Sequence, residues 1–164
     1  MAEEKKSEQE LVEFPITLSI PQSFATGPTM GRFLSEIRDN KKIMANKCPK
    51  CGRTQIPPRI VCAECHVECK EWVELKPAGE ITTFDVTYVP TLNPLTGKMR
   101  EVPYTTGSVL LDGGDASLMH FLDVTDPEKI RVGQRAEAVF RPDEEREGKV
   151  TDILYFRVIP DKEE

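Results

Sequence analysis

Four cysteines in two C-x2-C units carry the clearest chemistry in this 164-residue chain. Cys48 and Cys51 stand in C-P-K-C-G, and Cys62 and Cys65 in C-A-E-C, with ten residues between the two units. Two cysteines separated by two residues on a tight turn can direct both sulfurs at one ion, and Gly52 supplies the permissive backbone that such a knuckle needs. Two knuckles complete a tetrahedron of thiolates, which leaves no open position for water or substrate. A zinc ion held in this way is structural, and its binding is largely what folds so small a module. The same four sulfurs would also hold a single iron, because ligand softness alone does not separate the two metals. A CxxC redox pair fits poorly, since two such units share one short segment and no βαβ pattern surrounds them.

The remaining reactive side chains form no recognisable set. Cys69 has no partner of matching spacing and reads as a structural or simply exposed thiol. His66 follows directly on Cys65 and would replace a ligand only if the second knuckle were distorted. His120 falls beside Leu118 and Leu122 on one face of a strand, where a hydrogen-bonded barrel histidine is expected rather than a catalytic base. There is no Ser/His/Asp set, GxGxxG loop, P-loop or paired-carboxylate motif. Between Lys41 and Ala63 stand six basic residues and no acidic one, in a chain of net charge −6. Lys50, Arg53 and Arg59 in this stretch either neutralise the surplus negative charge of four thiolates around a divalent ion or form an anion site for the phosphates of a nucleotide-like cofactor.

The elements that must position these residues follow from composition and periodicity. Residues 1–13 are polar and mixed in charge, which predicts a flexible tail. From Phe14 to Pro28 apolar residues alternate with Pro, Ser, Thr and Gly, as in an extended arm. A short helix is expected over 29–42, with Met30, Phe33, Leu34 and Ile37 on one face. That stripe either covers the chain's own core or docks on a partner. Residues 43–76 hold the cysteines, with extended runs at Ile43–Asn46, Gln55–Val61 and Glu71–Leu75. Over 77–160 five runs rich in β-branched and aromatic residues (Ile81–Val89, Tyr104–Leu111, Ala116–Val124, Ala136–Arg141 and Asp152–Ile159) alternate with turn signals. The charged run Asp143–Lys149 reads as a solvated hairpin tip, and residues 161–164 as a tail. Five strands in so short a domain must close on themselves, and the OB-fold barrel is the usual solution. Neither a secretory signal nor an apolar run long enough to span a bilayer is visible, which predicts a cytoplasmic protein with reduced thiols. The acidic balance disfavours a sequence-blind nucleic-acid binder. An OB-fold module stacking single-stranded bases on Trp72, Phe84, Tyr88 and Phe121 is nevertheless an alternative, as is a rubredoxin-like electron carrier.

The order of elements resembles a known family. A short helix, C-P-K-C-G, I-P-P-R-I-V-C-A-E-C, E-W-V-E-L, G-E-I-T-T-F and five strands together are similar to the zinc-ribbon/OB-fold proteins that accompany thiolases and related acyl-CoA condensing enzymes. The resemblance covers about residues 29–160, and Pro57-Pro58-Arg59 is its most specific element. It implies a mainly β protein: a rubredoxin-like zinc ribbon followed by a five-stranded OB-fold, with Cys48, Cys51, Cys62 and Cys65 as zinc ligands. It further implies a non-catalytic subunit that binds a larger thiolase-like catalytic subunit and shares coenzyme A or acyl-CoA with it. Within the family, the length and the arm are similar to accessory subunits of anaerobic toluene degradation, whose β-ketoacyl-CoA is benzoylsuccinyl-CoA. Thiolysis needs a cysteine nucleophile, an acid/base pair and oxyanion donors, and this chain's residues do not supply such a set.

Overall fold

The computed structural model of the chain describes residues 23–93 and 96–160. The expected tail and arm up to residue 22, and the expected tail 161–164, lie outside the described residues. Helix α1 spans Gly27–Asn40, beginning two residues earlier than expected, with Pro28 in its first turn where no amide donor is needed. Lys41 adopts the left-handed conformation (φ 55°), and the Lys42 N–H returns to the Glu36 carbonyl at 3.1 Å, which ends the helix. Phe33 and Ile37 are wholly buried in the chain's own core, while Met30 and Leu34 pack half-buried against it. The expectation that this stripe docks on a partner is therefore corrected for Phe33 and Ile37, which present no free surface.

Three strands carry the cysteines. β1 (Ile43–Lys47) lies between β2 (Thr54–Gln55) and β3 (Glu71–Leu75), antiparallel to both. The expected run to Val61 stops at Gln55, because Pro57 and Pro58 have no N–H to give a ladder. Buried Asn46 takes over there: its Oδ1 accepts from the Arg59 N–H at 3.1 Å, and its Nδ2 donates to the carbonyls of Arg59 and Cys69. An amide side chain thus stands in for a missing strand neighbour.

Five longer strands follow: β4 (Ala78–Thr87), β7 (Tyr104–Leu111), β8 (Ser117–Leu122), β9 (Arg135–Phe140) and β10 (Ile153–Val158). They close a barrel in the order β10-β8-β7-β4-β9, with β8 and β10 parallel and the other pairs antiparallel. Along β7 buried and half-buried residues alternate, the period-2 signature of a strand with one face inside. Gly79 sits where β4 crosses from β7 to β9, and a Cβ there would lie 2.1 Å from the Leu110 carbonyl oxygen. In the connection from β4 to β7, two short strands, β5 (Leu92–Asn93) and β6 (Lys98–Met99), pair in a ribbon where a plain loop is expected. One hydrophobic core runs through the whole: Phe33 and Ile37 of the helix, Ile43, Ala45, Ile56 and Leu75 of the cysteine module, and Ile81, Val109, Ile153 and Phe156 of the barrel.

The charged run 143–149 keeps Asp143, Glu144, Glu145, Glu147 and Lys149 exposed, as expected of a solvated tip, but two buried charges tie it down. Arg146 is buried, its guanidinium donating from Nε to the Arg38 carbonyl in the last turn of α1 and pairing with Asp143 at 3.1 Å. Buried Asp152 accepts the backbone N–H groups of Glu147, Gly148 and Lys149 at 2.7 to 3.2 Å. The loop is thereby wound around a carboxylate and fastened to the helix, so most of its charge works locally.

Candidate metal centre

Each knuckle is a turn closed by its own backbone. The Gly52 N–H bonds the Cys48 carbonyl at 2.9 Å and the Cys48 N–H the Arg53 carbonyl at 2.9 Å. In the second knuckle the His66 N–H bonds the Cys62 carbonyl at 3.0 Å and the Cys62 N–H the Val67 carbonyl at 2.9 Å. The residue after the second cysteine is left-handed in both, Gly52 at φ 74° and His66 at φ 55°. Histidine is among the non-glycine residues that tolerate this region, so the position of His66 is explained by backbone geometry rather than by ligation. The two turns bring the sulfurs of Cys48, Cys51, Cys62 and Cys65 within 4.8 Å of one another. Cys48 and Cys62 are buried, Cys65 is half-buried and Cys51 faces solvent.

The electrostatics fit a divalent ion. The backbone amide of Cys51, helped by that of Lys50, pulls the Cys48 thiol down to about 6 against the opposing effect of burial. Burial, reinforced by hydrogen bonding to Cys51 and Cys48 and by their charge, pushes Cys65 up to about 12. Four thiols this close cannot all ionise without a cation among them, and four thiolates are the donor set that structural zinc takes. Cys69 lies beside the cluster, buried, accepting a hydrogen bond from Gln55 Nε2 at 3.3 Å. Burial and then the charge of Cys48 raise its thiol. Asn46 and Gln55 escaped the sequence reading because nothing in their spacing announces a role; both act across folded distance.

The expected cations are not brought together. Arg53 pairs with Glu64 at 3.1 Å, Lys50 is exposed, and Arg59 is exposed with its backbone held by Asn46. An open cavity of about 480 Å³ beside Cys51 is walled by Lys47, Gly52, Arg53 and Asp115, so of the three only Arg53 lines it. His120 is buried, with Nε2 3.3 Å from the Val150 carbonyl, and burial holds its imidazole below the ordinary value. The stacking alternative loses most of its platforms. The Arg32 guanidinium covers Trp72 at 4.5 Å, Phe84 packs on the core, and Phe121 lies against Tyr104 and under Arg100. Among the described residues no helix is long and apolar enough to cross a membrane.

A pair of thiolate knuckles on a three-stranded sheet, joined through one core to a closed five-stranded barrel, defines a zinc-ribbon/OB-fold protein. Residues 36–70 match the family model described as ChsH2, rubredoxin-like zinc ribbon domain, and residues 72–141 match that of ChsH2, C-terminal OB-fold domain. The chain is 31% identical over 101 residues to a DUF35 domain-containing scaffold protein of Methanothermobacter thermautotrophicus, covering 60% of this chain and 71% of that one. A protein of the same description from Methanocaldococcus jannaschii is 26% identical over 106 residues, covering 64% of this chain and 72% of the relative. The chain belongs to this DUF35 family of zinc-ribbon/OB-fold proteins. Two solved structures share the fold: a DUF35 protein of unknown function from Sulfolobus solfataricus (TM-score 0.52, 23% identity, 83% of this chain and 87% of that one), and a chain of the Ltp2-ChsH2(DUF35) aldolase (TM-score 0.57, 22% identity, 82% and 98%).

Proposed function

We propose that this chain is a non-catalytic scaffold subunit of a cytoplasmic thiolase-type complex acting on a β-ketoacyl-CoA, with benzoylsuccinyl-CoA as the substrate its length and arm favour. It binds a larger thiolase-like catalytic subunit and contributes to the wall of the acyl-CoA pocket. One observation carries the reading: among the described residues, every cysteine and every buried histidine is already committed to structure. Four thiols form a closed metal site, Cys69 is buried beside it with Gln55 bonded to its sulfur, and His120 is buried in the barrel with Nε2 3.3 Å from the Val150 carbonyl. A nucleophile, its base and oxyanion donors must then come from another polypeptide. The scaffold descriptions of the curated relatives, and the partnership of Ltp2 with a ChsH2(DUF35) chain in the aldolase, support the same reading.

The zinc-loaded chain alone is expected to cleave no β-ketoacyl-CoA, with thiolysis appearing only when a thiolase-like subunit is added; turnover by the isolated chain would refute the proposal. Coenzyme A affinity of the reconstituted complex, measured with Lys50→Ala, Arg53→Ala and Arg59→Ala, tests the cation assignment, which fails if binding is unchanged in all three.

A further inference from the structure

The large apolar side chains that stay exposed are not spread evenly. Tyr88 (60%), Val89 (70%), Leu92 (59%), Met99 (59%) and Val102 (38%) all belong to the connection between β4 and β7 that carries the β5–β6 ribbon. Leu92 and Met99 are register partners and so share one face of that ribbon, where no described residue covers them. The ribbon is held in place on the barrel. The Thr91 and Tyr104 hydroxyls are 2.8 Å apart, the Arg100 N–H bonds the Thr91 carbonyl at 2.8 Å, and the Arg100 guanidinium lies 5.1 Å from the Phe121 ring centroid. Met119, two residues before Phe121 on the same outer face of β8, is 71% exposed. Isolated apolar residues on a surface need no explanation, but an anchored ribbon that presents a cluster of them does.

We propose that the β5–β6 ribbon, together with the outer face of β8, is the surface on which the catalytic subunit docks. The inference rests on the scaffold reading above and gives it an address. The six exposed side chains leave roughly 600 Å² uncovered, at the top of what a monomer ordinarily shows and most of one side of a standard protein interface. Their composition points the same way: Tyr and Met side chains, with Arg100 half-buried in the same connection, are types enriched in protein–protein contacts. Single-stranded nucleic acid or an anionic lipid surface would need several free cations, and here Arg100 is already laid on Phe121. The fully buried helix residues Phe33 and Ile37 cannot serve, and the exposed apolar residues elsewhere, such as Phe24, Ile60, Val61 and Val132, fall singly or as one pair, whereas five lie in this one connection.

The test uses full-length chains. The thiolase-like subunit recovered with the wild-type chain from its native cells is identified and purified, and its Kd is measured by calorimetry. The partners are wild type, the double variant Leu92→Asp/Met99→Asp, and Val132→Asp, a control at another exposed valine outside the ribbon. Metal content and melting temperature establish that each variant is folded. Weakening by at least about 100-fold in the double variant, with the control unchanged, is the expected result. Equal affinity of the double variant and wild type would overturn the docking surface while leaving the scaffold reading intact. Failure of any thiolase-like subunit to bind the wild type would overturn both. A wild-type chain that is itself a dimer, made monomeric by the same double variant, would assign the ribbon to a second copy and overturn the proposal.

Discussion

Removal of the metal should melt the knuckles and spare the barrel. Structural zinc in small modules is worth about 10–16 kcal/mol, as much as the whole net stability of a typical domain, so a ribbon standing alone would unfold outright on chelation. This ribbon does not stand alone. Ile43 of β1, Leu75 of β3 and Ile56 directly after β2 are buried in the core shared with the barrel, and at about 1.5–3 kcal/mol each they hold the three-stranded sheet with roughly 5–9 kcal/mol, an upper figure. The turns 48–53 and 62–67 have no comparable anchorage: Cys48 and Cys62 are buried mainly among sulfurs. Hydrogen exchange with mass spectrometry, before and after treatment with a chelator, reads the difference. The amides of Gly52 and His66, which close the two knuckles, should exchange nearly unprotected in the apo chain. Amides of β1 and β3 should keep protection of about a thousandfold or more, and those of β7 should change little, since about 1.4 kcal/mol corresponds to each factor of ten. Parallel loss of protection in β7 and the knuckles would refute the shared-core argument, and unaltered knuckle protection would refute the metal site.

Three further outcomes follow from single contacts. Arg146→Met removes charged donors from the Arg38 and Arg141 carbonyls and should lower stability by about 2–3 kcal/mol in urea melts, with exchange rising at the end of α1. Asp152→Ala leaves three backbone N–H groups without their acceptor and should destabilise by about 3 kcal/mol, while Asp152→Asn, which keeps one acceptor oxygen, should lose less. His120 titrates below its ordinary value because burial penalises the charged ring, so its contribution is present above the unfolded value near pH ~6.5 and is lost as pH falls through the lowered folded one. Stability of the wild type should therefore decline on acidification through that window by up to about 1.4 kcal/mol per pH unit more than that of His120→Gln, and equal slopes would contradict the assignment.

The metal site was readable from residue order because its determinants are local. C-P-K-C-G and C-A-E-C each build their own turn, and only the meeting of two turns is left to the fold. The barrel strands were readable for a similar reason: alternation along Tyr104–Leu111 is a property of consecutive residues. The segments that misled are those where a local signal was overruled from a distance. Gln55–Val61 has strand-like residues, yet Asn46 and the two prolines end the ladder at Gln55. Asp143–Lys149 keeps most of its charges in solvent as its composition suggests, but Arg146 and Asp152 fasten it down in a way that composition does not show.

By itself the amino-acid sequence determined the cysteine cluster, the helix and the five barrel strands, since spacing and period act over a few residues. Only the tertiary structure decided what those elements cover. The stripe of Phe33 and Ile37 has the same period whether it faces a core or a partner, and its burial became definite when β1, β3 and the barrel closed over it. The apolar residues of the β5–β6 ribbon look no different in sequence from core residues, and only the folded chain shows that they stay exposed.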